Sequence, residues 1–103
     1  MANYHGALPR IRSGGGAVRV TIAANVGQGN GGTALSCAGC WVSVPATNTG
    51  PMRMNIAAAA SATLGIEVPE ASSPVWMPVS DVSLLYFYSG TNNDVVDILY
   101  LVG

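Results

Sequence analysis

Apolar and polar residues alternate with a period of two in several short stretches of the chain, the pattern of strands that bury one face. Residues 18–22, VRVTI, set Val18, Val20 and Ile22 against Arg19 and Thr21. Residues 40–45, CWVSVP, place Cys40, Val42 and Val44 on one face and Trp41 and Ser43 on the other. Residues 52–56, MRMNI, turn Met52, Met54 and Ile56 inward and Arg53 and Asn55 outward. Between these stretches, the glycine-rich residues 27–33 read as a loop and TNTGP at 47–51 as a turn. The alanine run that begins at Ala57 invites a helix, but it has no apolar stripe at helical spacing and Gly65 cuts it short. A short strand ending before Pro69 follows. Residues 75–79, VWMPV, then make a strand whose Pro78 cannot donate to a ladder, which assigns it to an edge or a bulge.

Residues 83–88 and 95–101 are predicted to pair as a hairpin around the Gly/Asn loop SGTNND. In the last strand Val96, Ile98, Tyr100 and Val102 form one apolar face. Val95, Leu99 and Leu101 form a second, interrupted only by Asp97. A strand of a two-layer sandwich ordinarily turns one face to water, so the second apolar face calls for a cover. Another chain would supply it, or the chain's own N-terminal segment. About seven short strands at intervals near 8–12 residues predict an all-β fold, an antiparallel β-sandwich of jelly-roll-like or Ig-like kind. The expected organisation is an extended N-terminal arm over residues 1–16 and a sandwich domain over residues 17–103. The arm reads either as a disordered tail or as a segment that orders against a partner.

Length and charge sharpen this picture. The 103 residues suffice for one core. Only 9% are charged, and all four basic residues are arginines, a poorly charged surface for a free monomer that burial in an assembly would explain. Arg10, Arg12, Arg19 and Arg53 precede every acidic residue, and no base follows Glu67, a polarity that suits protomers joining head to tail. Four dispersed arginines make no basic patch, which sets nucleic-acid binding aside. The N-terminus lacks the apolar segment of a secretory signal, and no apolar run approaches the ~20 residues of a membrane helix. Neither a membrane partner nor an extracellular redox setting is therefore expected, and synthesis is placed in the cytoplasm.

The candidate chemistry is thin. Cys37 and Cys40 have the C-x-x-C spacing of redox sites, but that chemistry uses a helix after the motif, and here a strand follows. Zinc needs four ligands, and the only histidine is His5 in the arm, so the two thiols read as structural, packed at a strand entrance. Gly27, Gly29 and Gly32 satisfy G-x-G-x-x-G without the following helix or the later acid of a dinucleotide site. No cofactor or metal is expected. A serine nucleophile would have His5 as its base, far from any scaffold. Glu67 and Glu70 flank Pro69 in a loop, Asp94 and Asp97 point to opposite faces, and neither pair reads as a matched acid and base. The TNND segment reads as a solvated turn. Trp41, Trp76, Tyr86, Tyr88 and Tyr100 suit sugar stacking, although aromatics within apolar strands favour core and interface packing.

Across residues 37–101 the order of features is an aromatic-bearing strand, N-T-G-P, the alternating MRMNI, S-A-T-x-G-I, an acidic proline loop, MPVSDVSLLYFYS and a terminal ILYL. This order resembles the small β-sandwich virion structural proteins of tailed bacteriophages, including capsid decoration or cement proteins. The chain departs from that pattern in the alanine run, where a glycine is expected after MRMNI, and in its cysteine spacing. The resemblance implies a non-enzymatic protein on the virion capsid surface, synthesised in the host cytoplasm. Its implied partners are the major capsid protein and further copies of itself, as a homotrimer. It also implies that an arm carrying Tyr4, Arg10 and Arg12 lies along a capsid subunit, while Val95, Leu99 and Leu101 meet the next copy. Two other functions are open to the same residues: a glycan-binding module of a phage tail or fibre acting through Trp41 or Trp76, and a C-x-x-C thiol oxidoreductase.

Overall fold

A computed structural model describes residues 14–102. Eight strands follow in order: β1 (Gly15–Thr21), β2 (Val26–Gln28), β3 (Gly39–Ser43), β4 (Met52–Ile56), β5 (Ile66–Val68), β6 (Val75–Met77), β7 (Leu85–Ser89) and β8 (Val95–Leu101). They form two four-stranded sheets, β1-β8-β3-β6 and β2-β7-β4-β5, in which every pairing is antiparallel. The all-β fold expected from the alternation is the one observed.

The period of two decides which side chains meet between the sheets. From the first sheet, Val20, Cys40, Val42, Val96 and Ile98 turn inward; from the second, Met52, Met54, Leu85 and Phe87 do so, and all are buried. Each large apolar side chain so buried stabilises the fold by about 1.5–3 kcal/mol. Ile56, expected inward, is instead 42% exposed. It is the last residue of β4, past the point where β5 stops pairing at Met54–Ile66, and no layer covers it there.

Several boundaries differ from the sequence reading. Gly15 and Gly16, assigned to the arm, belong to β1 and pair with Leu101 and Tyr100. The glycine-rich segment contains β2 and a 3-10 turn over Gly29–Gly32. A two-residue reversal at Ala24 and Asn25, both at positive φ, leads from β1 into β2. Glu67 lies within β5, opposite Arg53, and not in a loop. β6 is an edge strand, one of the two placements expected for it, but it ends at Met77, so Pro78 lies just outside it. The alanine run forms no helix: Ser61 Oγ accepts from the N–H groups of Thr63 (3.3 Å) and Leu64 (3.1 Å) in a local turn.

The largest difference concerns the expected hairpin. β7 and β8 do not pair; they lie in different sheets, and both contribute side chains to the core between them. The loop between them crosses the sandwich because its polar groups are tied to other segments. Asn93 N–H donates to the Ile22 carbonyl (2.8 Å), and Asn25 Nδ2 donates to the Ser89 carbonyl (2.8 Å). Asp94, read as part of a solvated turn, is buried. Its carboxyl accepts from Ser89 Oγ (2.9 Å) and from the Thr49 N–H (3.0 Å). Asn48 completes the junction by exchanging two bonds with the Val95 backbone, at 2.7 and 2.9 Å. Its side chain thus substitutes for a neighbouring strand where β8 begins.

Ala57, directly after MRMNI, has φ +62°, the left-handed conformation that glycine adopts at little cost. Holding alanine there costs about 1–2 kcal/mol, partly offset by the ~0.4–1 kcal/mol by which alanine limits the unfolded chain. Ala57→Gly is therefore expected to stabilise the domain by about 0.5–1 kcal/mol and to raise its melting temperature by about 3–6 °C. Thermal unfolding followed by circular dichroism checks this, and an unchanged or lower midpoint would contradict it.

Candidate interaction face

The outward side of the first sheet is assembled by strand register. Ala17 of β1 lies opposite Leu99 of β8, Leu99 opposite Trp41 of β3, and Trp41 opposite Trp76 of β6. One apolar row thus crosses all four strands. Leu99 is 49% exposed, Trp41 41% and Trp76 40%, so the row is on the surface and not in the core. The indoles of Trp41 and Trp76 meet edge to face, with ring centroids 5.2 Å apart, an arrangement that adds about 0.5–1.5 kcal/mol beyond burial and fixes both rings. Gly39 makes room for them: its φ is +147°, and a Cβ there would overlap the Trp76 ring.

Val95 and Leu101 share this face with Leu99, as the alternation along β8 requires, and both are half-buried. The side chains expected at an oligomer interface are therefore gathered on one surface with the two tryptophans. Beside the row is a groove of about 430 Å³ lined by Ala17, Trp41, Ser43, Pro74, Asp97 and Leu99. The polar residues of its lining are Ser43 and Asp97, and Asp97 is held in a cross-strand ion pair in which Arg19 Nε donates to Asp97 Oδ1 (2.6 Å) and Nη2 to Oδ2 (2.9 Å). Arg19's hydrogen bonds hold the Asp97 carboxyl below the usual carboxylate range, against a smaller opposing effect of burial. The forked geometry spends both charges on each other, so the groove offers little unpaired charge beside the apolar row.

The remaining candidates are dispersed. Tyr86 and Tyr88 lie on the outward side of the second sheet, whereas Tyr100 packs against the core. Tyr88 lines a more polar groove of about 400 Å³ with Arg53 and Glu67. Gly27 lies in β2 and Gly29 and Gly32 in the 3-10 turn, with no α-helix behind them among the described residues. Tyr4, Arg10 and Arg12 lie outside the described residues.

Cys37 and Cys40 are free thiols at the entrance to β3. Cys37 Sγ lies 3.2 Å from the Val79 carbonyl and Cys40 Sγ 3.9 Å from that of Met77. Burial pushes both thiols up, Cys40 to about 12, with the neighbouring Cys37 adding to it. Because the thiolate is the nucleophile, Cys40 is expected to stay unmodified by iodoacetamide at pH 8 in the folded protein and to react once urea unfolds it. Mass spectrometry reads the adducts, and alkylation of native Cys40 at the unfolded rate would contradict the assignment.

The chain matches no family model, no curated protein and no solved structure. It is an all-β two-sheet domain with an apolar, aromatic sheet face open to solvent. That row was not visible in the sequence because it depends on which strands pair; alternation alone placed Trp41 opposite to Cys40 and Val42, and Leu99 opposite to Ile98.

Proposed function

We propose that this chain is a non-enzymatic structural protein of a bacteriophage particle, of the capsid decoration type. The observation that supports this reading is the apolar row Ala17–Leu99–Trp41–Trp76, continuous across one sheet of a small β-sandwich. The phage setting rests on the sequence resemblance. In this reading the major capsid protein and further copies of the chain are the partners, and the outward face of the first sheet is the surface that the particle buries. The mechanism is mass action: each copy that binds only the intact shell adds a modest free energy to it, and many copies together resist rupture. Rigid tryptophans beside an apolar groove suit such a contact, since large aromatic side chains dominate binding energy at interfaces.

The test is co-sedimentation of the purified chain with undecorated capsids of the virus that encodes it. Saturable pelleting at a fixed ratio to the capsid subunit, with a higher temperature of shell rupture, is the expected result. A chain that stays in the supernatant at every concentration would sink the proposal. The edge-to-face tryptophan pair also favours a second reading, a glycan-binding module of a tail or fibre, because a sugar ring stacks on an exposed indole. Binding on a glycan array that Trp41→Ala or Trp76→Ala abolishes would select it.

A further inference from the structure

β1 forms the longest free sheet edge among the described residues. Gly14 accepts from the Val102 N–H (2.7 Å), and the Ile22 N–H donates to the Asp94 carbonyl (2.8 Å). The even-numbered residues of this segment therefore turn their backbone groups toward β8. Since these groups alternate from side to side along a strand, Gly15, Ala17, Arg19 and Thr21 turn theirs away. All four residues are exposed, and no described residue pairs with them.

The other three edges are β2, β5 and β6, each of three residues, and the last two are closed by Pro69 and by Pro74 and Pro78. Short strands and prolines are the ordinary protection of a sheet edge. β1, seven residues long, contains neither a proline nor a lysine.

We propose that β1 pairs with β1 of a second copy, antiparallel, about a two-fold axis at Val18. The sequence GGAVRVT is complementary to itself in that register. Gly15 faces Thr21 of the second copy and Ala17 faces Arg19, so all four outward positions on each chain find a partner and about eight backbone hydrogen bonds form. Arg19 keeps its ion pair with Asp97 and lays its aliphatic stem beside Ala17 of the other chain. Moving the axis to Arg19 sets two guanidinium groups opposite one another, which is destabilising. Moving it to Ala17 leaves Thr21 without a partner in β1.

The result is one continuous eight-stranded sheet whose outward faces lie side by side, open to the same partner surface. The pairing goes beyond the decoration reading and does not depend on it. It makes the contact between copies two-fold, where the sequence resemblance implies a trimer.

Light scattering on the purified chain at about 100 µM is expected to give twice the 10.5 kDa chain mass. Ala17→Pro removes an N–H that the single chain does not use. It is expected to weaken the dimer at least 100-fold while the near-ultraviolet circular dichroism stays unchanged. Val18→Cys tests the register. Residues facing at a non-hydrogen-bonded position have Cα atoms about 4.5 Å apart, within disulfide reach. Val18→Cys is therefore expected to give a covalent dimer under mild oxidation, on a non-reducing gel where the wild-type chain and Ala17→Cys stay single. A monomer at 100 µM, or an Ala17→Pro variant that dimerises like the wild type, overturns the pairing. A trimer overturns it too and leaves the decoration reading standing. Failure of capsid binding by a confirmed dimer would count against the decoration reading alone.

Discussion

Asp94→Ala is expected to destabilise the domain by about 3–4 kcal/mol, the largest effect of any single polar substitution in the described residues. The carboxyl is buried where the loop from β7 crosses to β8, and it accepts from both Ser89 Oγ and the Thr49 N–H. Alanine leaves the buried Ser89 hydroxyl without its acceptor, at about 1–3 kcal/mol, and removes the bond from the N–H of the exposed Thr49, worth about 0.5–1.5 kcal/mol. Ser89 is itself buried and also accepts from the Thr91 N–H, so the loop that places the two sheets face to face loses its internal ties as well. Against a total stability of about 5–15 kcal/mol, this is a large fraction. The melting temperature should fall by about 12–25 °C, with a lower urea midpoint at nearly constant slope. Asp94→Asn keeps the volume and one acceptor and should lose about half as much. A double-mutant cycle with Ser89→Ala is expected to show a coupling of at least about 1 kcal/mol, because the two side chains share one bond. A loss below 1 kcal/mol for Asp94→Ala would mean that the crossing is held by apolar packing alone.

The same junction explains what could and could not be read from sequence. Alternation locates β1, β3 and β4 because each sets buried apolar side chains against polar ones, and the β-branched and aromatic run of residues 95–101 locates β8; both signals are local. β2 escaped notice because Val26, Gly27 and Gln28 bury nothing large, and its position is set by pairing with Tyr86 and Tyr88 of β7. The segments holding β7 and β8 read as apolar strands, although Val82–Leu84 form a 3-10 turn and β7 begins only at Leu85; Gly/Asn loop chemistry is compatible both with pairing side by side and with crossing the core. The choice depends on Asn48 and Asp94 finding partners about 45 residues apart in the chain and in a separate loop, which no local pattern reports. The candidate face divides similarly. Val95, Leu99 and Leu101 were recognisable as one side of a strand from their spacing. Their alignment with Trp41 and Trp76 required the register of three further strands.

Leu99→Lys is expected to abolish particle binding, lowering affinity at least 100-fold, while shifting the melting temperature by no more than about 2–3 °C. Leu99 occupies the middle of the outward row, between Ala17 and Trp41, and is half exposed in the single chain. A lysine there keeps its ammonium in water as long as the face is free, so the fold loses little. Once a partner covers the row, that ammonium is enclosed among Trp41, Pro74 and Ala17. The neighbouring carboxylate of Asp97 is already bound through both oxygens by Arg19. Burying a charge without a partner costs several kcal/mol, and each 1.4 kcal/mol is a tenfold loss of affinity. Trp41→Ala removes contact area without adding charge and should cost about 2 kcal/mol, a ~30-fold loss, as expected of an aromatic anchor at the centre of an interface. The order of effects carries the argument: lysine worse than alanine for binding, and nearly silent for stability. If Leu99→Lys binds capsids like the wild-type chain, the outward face of the first sheet is not the docking surface. The polar groove around Arg53 and Tyr88 on the other sheet would then be the next surface to substitute.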